Sequence, residues 1–386
     1  MTVKTPMSSA EFEDKVRAGK LSRREAHRIL ASFGVGMALA PTLTTGAAAS
    51  PEDQPLFFTW AGYDSPEFMV HYVAKYGEEP RYTFFGDEDE AFNKMRSGFN
   101  PHVTYPCGVS LKLWNDAGLL APIDTSKLSN FPDVLDVFKD APNSVVDGKR
   151  LYVPEDWGQT SMIIRTDLAP EYADPANQTW AALWNEKYAG KVAITDYSYE
   201  AFAIAALVLG YEPWSLTAEQ REACAALLRK QVPLNRMITT DSTMQGQAIA
   251  SGELVIAVGT NGLLSELASL AEVSGVEWTW ATPKEGAMTW HCGLCIHPAA
   301  IEDGMVDRCH DLIDSMISPE AGAFEIGNWY YGHVNRKAYE GFDDAFLRSI
   351  GQAKDVEGFL KDSVFVQTMN EPERLATQWE ELKAGF

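Results

Sequence analysis

The sequence lacks the short motifs that usually mark enzyme active sites and nucleotide sites. It contains no GxGxxG or Walker A loop, no HExxH, no GxSxG, and no second CxxC beside the one at Cys292 and Cys295. Its 7 histidines are scattered along the chain. These absences predict a protein that is not an enzyme and that holds no cofactor and no metal.

Basic residues are also scarce. The chain has 32 Lys and Arg against 54 Asp and Glu, which gives a formal net charge of -22. Such a negative field repels nucleic acids and anionic membranes, so neither is expected as a partner. The charge suits a cationic ligand, although solubility alone also accounts for an acidic surface.

The chain has no internal repeat, no low-complexity run and no proline- or glycine-rich linker. Its 386 residues exceed what one hydrophobic core usually holds, so two domains are expected. Strand patterns such as 81–86 alternate with helical patterns such as 87–98, which is typical of α/β domains with parallel or mixed sheets. Without a linker, the chain must cross between the domains in extended segments, and residues 150–165 and 279–297 are the candidates.

The first 49 residues have the order of an export signal. Arg23 and Arg24 precede an apolar run from Ile29 to Ala40 that is too short to span a bilayer, and small residues follow at 47–49. This order predicts a twin-arginine-type signal over residues 1–49, and therefore a periplasmic protein. No cysteine stands near the expected cleavage point, so a lipid anchor is not expected.

The five cysteines form no recognisable disulfide framework, because their number is odd and their spacing irregular. The periplasm is oxidising, so pairing is possible, but at least one thiol must stay free. Cys224 and Cys309 lie in helical patterns, where each is expected to be a small core residue.

Cys292 and Cys295 stand in the segment MTWHCGLCIHP, residues 288–298. Gly293 and Pro298 argue against a helix, so the segment is expected to be a strand. Side chains alternate on a strand, which places the two thiols on opposite faces. A plain strand is the favoured interpretation, and a cysteine paired elsewhere in the chain is the second.

A metal site is the third interpretation of this segment. His291 and His297 flank the two cysteines, but on a strand they lie about 20 Å apart, too far to share one zinc ion. The alternative function is therefore an exported metal- or redox-active protein that uses Cys292, Cys295 and the nearby histidines.

Seven segments, taken in order, resemble the spermidine/putrescine-binding proteins of bacterial ABC importers. They are FFTWAGYDSPEF, HVTYPCGVSLKLWNDAGLLAPID, YVPEDWGQTSMIIRTD, KVAITDYSYEAF, SGELVIAVGTNG, TWHCGLCIHPAA and WEELKAGF. The resemblance implies the two-lobed periplasmic binding protein fold of type II, with hinge crossovers between the lobes. Residues 52–156 plus 286–335 would form one lobe and 157–285 plus 336–386 the other. It also implies a monomeric receptor that delivers a small organic cation to a permease in the inner membrane.

The resemblance also implies a ligand site. Trp60 and Tyr63 match an aromatic pair that follows the first strand in this family, Trp290 matches a tryptophan on the returning crossover, and Glu200 matches an acid that binds an amine. The physical chemistry agrees, because aromatic faces attract ammonium groups and a desolvated carboxylate supplies a charge-assisted hydrogen bond. Core packing for the aromatic residues, and a helix-cap role for Glu200, are the structural alternatives.

Several positions depart from the family pattern. Cys292 stands where relatives have a carboxylate, Tyr197 replaces a second carboxylate although Asp196 is adjacent, and Gly259 replaces an aromatic residue. Gln367 matches a family glutamine near the C-terminus.

Two further candidates complete the predicted ligand site, namely Cys107 on the loop 106–109 and Trp157 on the first crossing. With two acids fewer, a ligand with one principal cationic centre, such as a monoamine or quaternary amine, is expected in place of a polyamine.

Overall fold

A computed structural model of the chain describes residues 53–264, 267 and 276–385. The predicted export signal, residues 1–49, lies outside the described residues. Within them, no helix combines the length and the apolar character needed to cross a membrane.

The strands form one large mixed sheet and one small hairpin. Their bounds are β1 Leu56–Trp60, β2 Arg81–Phe85, β3 Val103–Thr104, β4 Val145–Val146, β5 Lys149–Arg150, β6 Val153–Arg165, β7 Val192–Ile194, β8 Asn235–Ile238, β9 Ile256–Thr260, β10 Trp278–Trp280, β11 Met288–Ile296, β12 Gly332–His333 and β13 Val364–Phe365. The order of the large sheet is β2-β1-β3-β11-β6-β9-β7-β8, with β10 and β12 added to β6 and β13 added to β11. Strands β4 and β5 pair as the hairpin.

The helices connect and cover these strands. The α-helices are α1 Val70–Tyr76, α2 Glu88–Arg96, α3 Leu111–Asp116, α4 Asp136–Lys139, α5 Ser198–Leu209, α6 Ala218–Gln231, α7 Ser242–Ser251, α8 Ala299–Glu302, α9 Val306–Met316, α10 Pro319–Trp329, α11 Asp344–Ser349, α12 Val356–Phe359 and α13 Pro372–Lys383. Their ends follow local rules: Asp87 caps α2 by accepting a hydrogen bond from the backbone of Glu90, and Gly77 ends α1 at a φ of 80°.

Parallel and antiparallel pairings divide between the ends and the middle of the large sheet. Strand β1 is parallel to β2 and β3, and β7 is parallel to β8 and β9, as expected for α/β units. In the middle, β11 runs antiparallel to β3 and to β6, and β6 runs antiparallel to β9. The prediction of parallel or mixed sheets is confirmed.

The two predicted crossings are the two longest strands of the sheet. All 13 residues of β6 are buried, and β11 pairs with it from Met288↔Thr160 to Leu294↔Val153. The register shifts after Cys292, where Gly293 lies so close to β6 that a Cβ would stand 2.3 Å from the carbonyl oxygen of Val153. The prediction that the segment around Cys292 is a strand is confirmed.

Two large hydrophobic cores use different stretches of this central pair of strands, with Val153 and Trp157 of β6 in the first core and Met162 and Ile164 in the second. The first core takes buried side chains from residues 57–157 and 292–360, and the second takes them from 162–258, 281–288 and 366–382. Residues 338–360, which the sequence-based division places with the second lobe, therefore pack on the first core. We propose to count that segment with the first lobe, and the division into lobes stays a prediction.

Candidate functional site

A disulfide bond joins Cys107 to Cys292, and the two residues also form an isolated antiparallel bridge. Cys107 lies on the loop that follows β3, so the bond ties that loop to β11. Cys295 stays free and fully buried, as do Cys224 and Cys309, whose placement in the core is confirmed. The interpretation in which a cysteine pairs elsewhere is correct, and the Cys292/Cys295 redox pair is wrong because the two side chains leave opposite faces of one strand.

The metal interpretation of this segment is also wrong. His291 is buried against the hydroxyl of Tyr152, 2.9 Å from its Nδ1, and the Nδ1 of His297 accepts a hydrogen bond from the backbone of Ala299. Burial lowers the pKa of both imidazoles to about 4. Neither ring shares a cluster of possible metal ligands with Cys295 among the described residues.

Two of the aromatic residues predicted for the ligand site, Tyr63 and Trp290, are linked by ring contacts through Trp329 and Tyr331. Tyr63 lies edge-on to Trp329 with ring centroids 5.0 Å apart, Trp329 lies 6.3 Å from Tyr331, and Tyr331 lies 5.1 Å from Trp290. We call Tyr63, Trp290, Trp329 and Tyr331 the aromatic cluster. It joins the loop after β1 to the middle of β11 through Trp329, the last residue of α10, and Tyr331, just beyond that helix. Neither of these two residues was predicted from the sequence.

Trp290 presents a polar atom without a partner. Its Nε1 is buried and makes no hydrogen bond to the described residues. The indole lies across Gly158 of β6, where a Cβ would stand 2.2 Å from the ring atom Cζ2. The absence of a side chain at residue 158 therefore sets the position of the ring.

Trp60 stands beside the aromatic cluster, not in it. Its Nε1 donates a hydrogen bond to the carbonyl oxygen of Tyr105 at 3.1 Å, and its ring packs edge-on against Phe85 at 4.6 Å. Tyr105 in turn lies 4.6 Å from the ring of Tyr63. Trp60 thus supports the wall that carries Tyr63.

Asp156 supplies a carboxylate next to Cys292, and sequence reasoning missed it. The register of β6 and β11 sets Asp156 opposite Cys292, whose backbone N–H donates to Oδ1 at 3.1 Å. The hydroxyl of Tyr63 donates to Oδ2. Burial, and then the charge of Glu155, raise the pKa of Asp156 to about 8. A local signal was present, since Glu155 and Asp156 are adjacent acids in a segment predicted to be extended, and acids are rarely fully buried unless they are paired.

Asp156 belongs to a group of three buried acids, which we call the carboxylate cluster. Glu155 is 0% exposed, Asp156 1% and Glu325 of α10 0%. Burial, and then the charges of Glu155 and Asp156, raise the pKa of Glu325 well above its ordinary value. Burial, and to a smaller degree the charges of Asp156 and Glu325, also raise the pKa of Tyr331. Together with the hydrogen bond from Tyr63 to Asp156, this shows that the carboxylate cluster and the aromatic cluster adjoin.

Glu200 lies in the first turn of α5 and is 3% exposed. Its Oε1 accepts a hydrogen bond from the hydroxyl of Thr160 at 2.9 Å, and its Oε2 accepts one from Thr195. Burial raises the pKa of the carboxyl group, and the two hydroxyl donors partly offset the shift. Glu200 is therefore a desolvated acid held in place by two threonines, and not a helix cap.

Tyrosine side chains and a second acid lie near Glu200. Tyr197 is 44% exposed and stacks on Tyr199, with ring centroids 5.6 Å apart. Burial is the main cause that raises the pKa of both tyrosine hydroxyls, and the charges of Glu200 and Glu88 raise it further. Glu88 accepts a hydrogen bond from the backbone N–H of Cys107 at 2.7 Å. Burial raises the pKa of Glu88 to about 7. Sequence reasoning placed Glu88 only in a helix.

Three predicted site residues lie elsewhere. Asp196 accepts hydrogen bonds from Trp379 Nε1 at 2.8 Å and Lys383 Nζ at 2.6 Å, so the last helix already holds it. The indole of Trp157 is fully buried in the first core, and its Nε1 donates a hydrogen bond to the hydroxyl oxygen of Tyr339 at 3.1 Å. Gln367 is exposed, and within the described residues no hydrogen bond or ring contact joins it to the aromatic cluster. We therefore leave Trp157 and Asp196 out of the proposed ligand contacts, and the role of Gln367 stays a prediction.

Comparison with known proteins gives consistent results. The family model for bacterial extracellular solute-binding proteins matches residues 84–340. The spermidine/putrescine-binding periplasmic protein of Salmonella typhimurium is 26% identical over 259 residues, 65% of this chain and 70% of that protein. Its Escherichia coli counterpart is 26% identical over 265 residues, 67% of this chain and 72% of that protein.

Solved structures share the fold. The substrate-binding protein of a spermidine/putrescine ABC transporter from Streptococcus pneumoniae superposes with a TM-score of 0.69 at 19% identity, covering 86% of this chain and 99% of that chain. The TpPotD lipoprotein of Treponema pallidum gives a TM-score of 0.70 at 17% identity, with the same coverage. The predicted periplasmic binding protein fold is thus confirmed.

Proposed function

This chain belongs to the bacterial extracellular solute-binding proteins, and from that premise we propose that it is a periplasmic receptor that binds a small organic cation and delivers it to an ABC importer. The curated relatives are named for binding spermidine and putrescine, which supports a polyamine-like ligand here. Proteins of this family act in transport, so we propose that the chain has no catalytic activity of its own. Its partners are the solute and a permease, and we propose that it acts as a monomer.

One observation carries this proposal: desolvated carboxylates lie near aromatic rings at two places along β6. At Asp156, which lies opposite Cys292, the hydroxyl of Tyr63 donates to the carboxylate. At Thr160, whose hydroxyl donates to Glu200, the charges of Glu200 and Glu88 raise the pKa of Tyr197 after the larger effect of burial. Ring faces attract ammonium groups, and a buried carboxylate binds them through charge-assisted hydrogen bonds.

The position of Asp156 changes the number of charges proposed for the ligand. The expectation of a single cationic centre rested on the absence of carboxylates at positions 292 and 197. Asp156 stands directly across from position 292 on the neighbouring strand. We therefore propose a ligand with at least two cationic groups, one bound near Asp156 and one near Glu200.

Glu200→Gln tests this assignment. The substitution keeps the size of the side chain, and one threonine hydroxyl can still donate to the amide oxygen while the other accepts from the amide nitrogen. It removes the charge, and a buried cation without a counter-charge is costly. We expect Glu200→Gln to lose most of the thermal stabilisation that spermidine or putrescine gives to the wild-type protein.

Glu302→Gln, at an exposed position of α8, is the matched control and should retain that stabilisation. Equal stabilisation of Glu200→Gln and wild type by the same amine would remove Glu200 from the site. The number of cationic groups on the ligand is tested by adding a monoamine and choline to the same assay. A larger rise in unfolding temperature with either of these than with spermidine or putrescine would favour a ligand with a single cationic centre.

A further inference from the structure

We propose that Glu155 and Glu325 hold a hard divalent cation of the calcium class inside the first core. Neither residue is needed for the proposed amine contacts. Both are 0% exposed, and Oε1 of Glu155 and both carboxylate oxygens of Glu325 have no hydrogen-bond partner among the described residues. A buried carboxylate without a partner carries the full cost of desolvation, so three such oxygens together call for a bound positive species.

The other oxygens of the carboxylate cluster are already satisfied. The hydroxyl of Tyr105 donates to Oε2 of Glu155, while Tyr63 and the backbone N–H of Cys292 donate to Asp156. The unpartnered oxygens therefore belong to Glu155 and Glu325 alone. A ligand for them must be small, because no part of either side chain is exposed.

The protein itself supplies little compensating charge. Within the described residues, His333 is the one basic side chain within ion-pair distance of the cluster, with its Nε2 3.4 Å from Oε1 of Glu155. Two carboxylates at one buried place cannot both stay ionised unless a cation or a proton is shared between them.

The hydrogen bonds of His333 decide the class of cation. Its Nδ1 accepts from the backbone N–H of Asn335 at 3.1 Å, so the ring proton sits on Nε2, which faces the carbonyl oxygen of Met316 at 3.1 Å. A nitrogen that carries a proton cannot bind a metal, and a metal-bound histidine normally donates from its other nitrogen, where this one accepts. The donor set is therefore oxygen, which suits calcium or magnesium better than zinc or copper.

The spacing of the two carboxylates also fits such an ion. A carboxylate oxygen of Glu155 and one of Glu325 lie within 4.8 Å of each other. Calcium binds carboxylate oxygens at about 2.3–2.6 Å, so oxygens on opposite sides of one ion lie up to about 5 Å apart. The rival explanation is that the carboxyl groups share protons and hold no ion.

Metal analysis of the purified mature protein tests the proposal. We expect about one equivalent of calcium after dialysis against calcium chloride, and a rise in the unfolding temperature when calcium is added back to chelator-treated protein. Magnesium and manganese should give smaller rises, and zinc none. Stoichiometric zinc, or no metal and no rise with calcium, would overturn the proposal.

Glu325→Gln separates the ion from the shared proton. If an ion is bound, the variant should lose both the calcium and its stabilising effect, whereas Glu302→Gln should keep them. If protons are shared, the neutral amide should leave stability unchanged or raise it, and calcium should have no effect on the wild type.

Calorimetric titration of calcium into the wild type decides the matter even if the variant does not fold. Failure of this test leaves the amine proposal standing, because amine binding is measured separately. Displacement of calcium by saturating spermidine would show instead that the cluster is part of the amine site, and would also overturn the proposal.

Discussion

Removal of the Cys107–Cys292 bond should destabilise the protein substantially. The bond closes a loop of 185 residues. In the chain-entropy model, a loop of this length restricts the unfolded chain by about 5 kcal/mol at 25 °C. With an unfolding entropy of about 2.1 cal/mol/K per residue and ~340 residues in the mature chain, this lowers the unfolding midpoint by roughly 7 °C.

The double variant Cys107→Ser with Cys292→Ser provides the measurement. Urea unfolding should give a free energy of unfolding about 5 kcal/mol lower than wild type, and a reducing agent should weaken the wild type but leave the double variant unchanged. A thiol count in denaturant provides the control. The oxidised chain should show three free thiols, those of Cys224, Cys295 and Cys309. Five thiols before reduction would show that the bond does not form, and equal stability of the two proteins would show that it does not stabilise the fold.

Further predictions concern Gly158 and Glu88. Gly158→Ala should displace the indole of Trp290, because the new Cβ would stand 2.2 Å from it. Both Gly158→Ala and Trp290→Ala should therefore weaken amine binding by about 1–2 kcal/mol. Unchanged affinity in a calorimetric titration would contradict a role for this ring in binding. The pKa of Glu88 is raised to about 7, above its unfolded value, so its contribution to stability is present below about pH 4.5 and is lost as the pH rises through 7. Urea unfolding at pH 5 and pH 8 should show a loss that Glu88→Gln reduces, and a loss of equal size in both proteins would exclude Glu88. A cation near Glu88 favours its ionised form, so amine binding at pH 7 should release up to about half a proton in wild type and less in Glu88→Gln, as measured by titration in buffers of different ionisation enthalpy.

Local patterns were sufficient to predict much of the fold. The apolar run at β1, the acidic first turn of α2 and the glycine that ends α1 are local signals, and the structure has elements at these places. The strand around Cys292 followed from Gly293 and Pro298 in the same way. Such signals depend on residues a few positions apart, which a single sequence contains.

Contacts between distant segments were not predictable in this way. Cys107 and Cys292 are 185 residues apart, and their pairing depends on β3 lying beside β11. The role of Asp156 likewise depends on the register of β6 against β11, which no local pattern specifies. Trp329 and Tyr331 join the aromatic cluster only because α10 returns to the first core.

Calorimetric titration of the mature protein with spermidine, putrescine, a monoamine, choline, a sugar and a dicarboxylate tests whether the protein is a receptor for an organic cation. We expect saturable 1:1 binding of a polyamine-like cation, tighter than that of the monoamine, with a stabilisation of about 2.7 kcal/mol at a hundred times its Kd. Binding of the sugar or the dicarboxylate alone, with no heat from any of the cations, would contradict it.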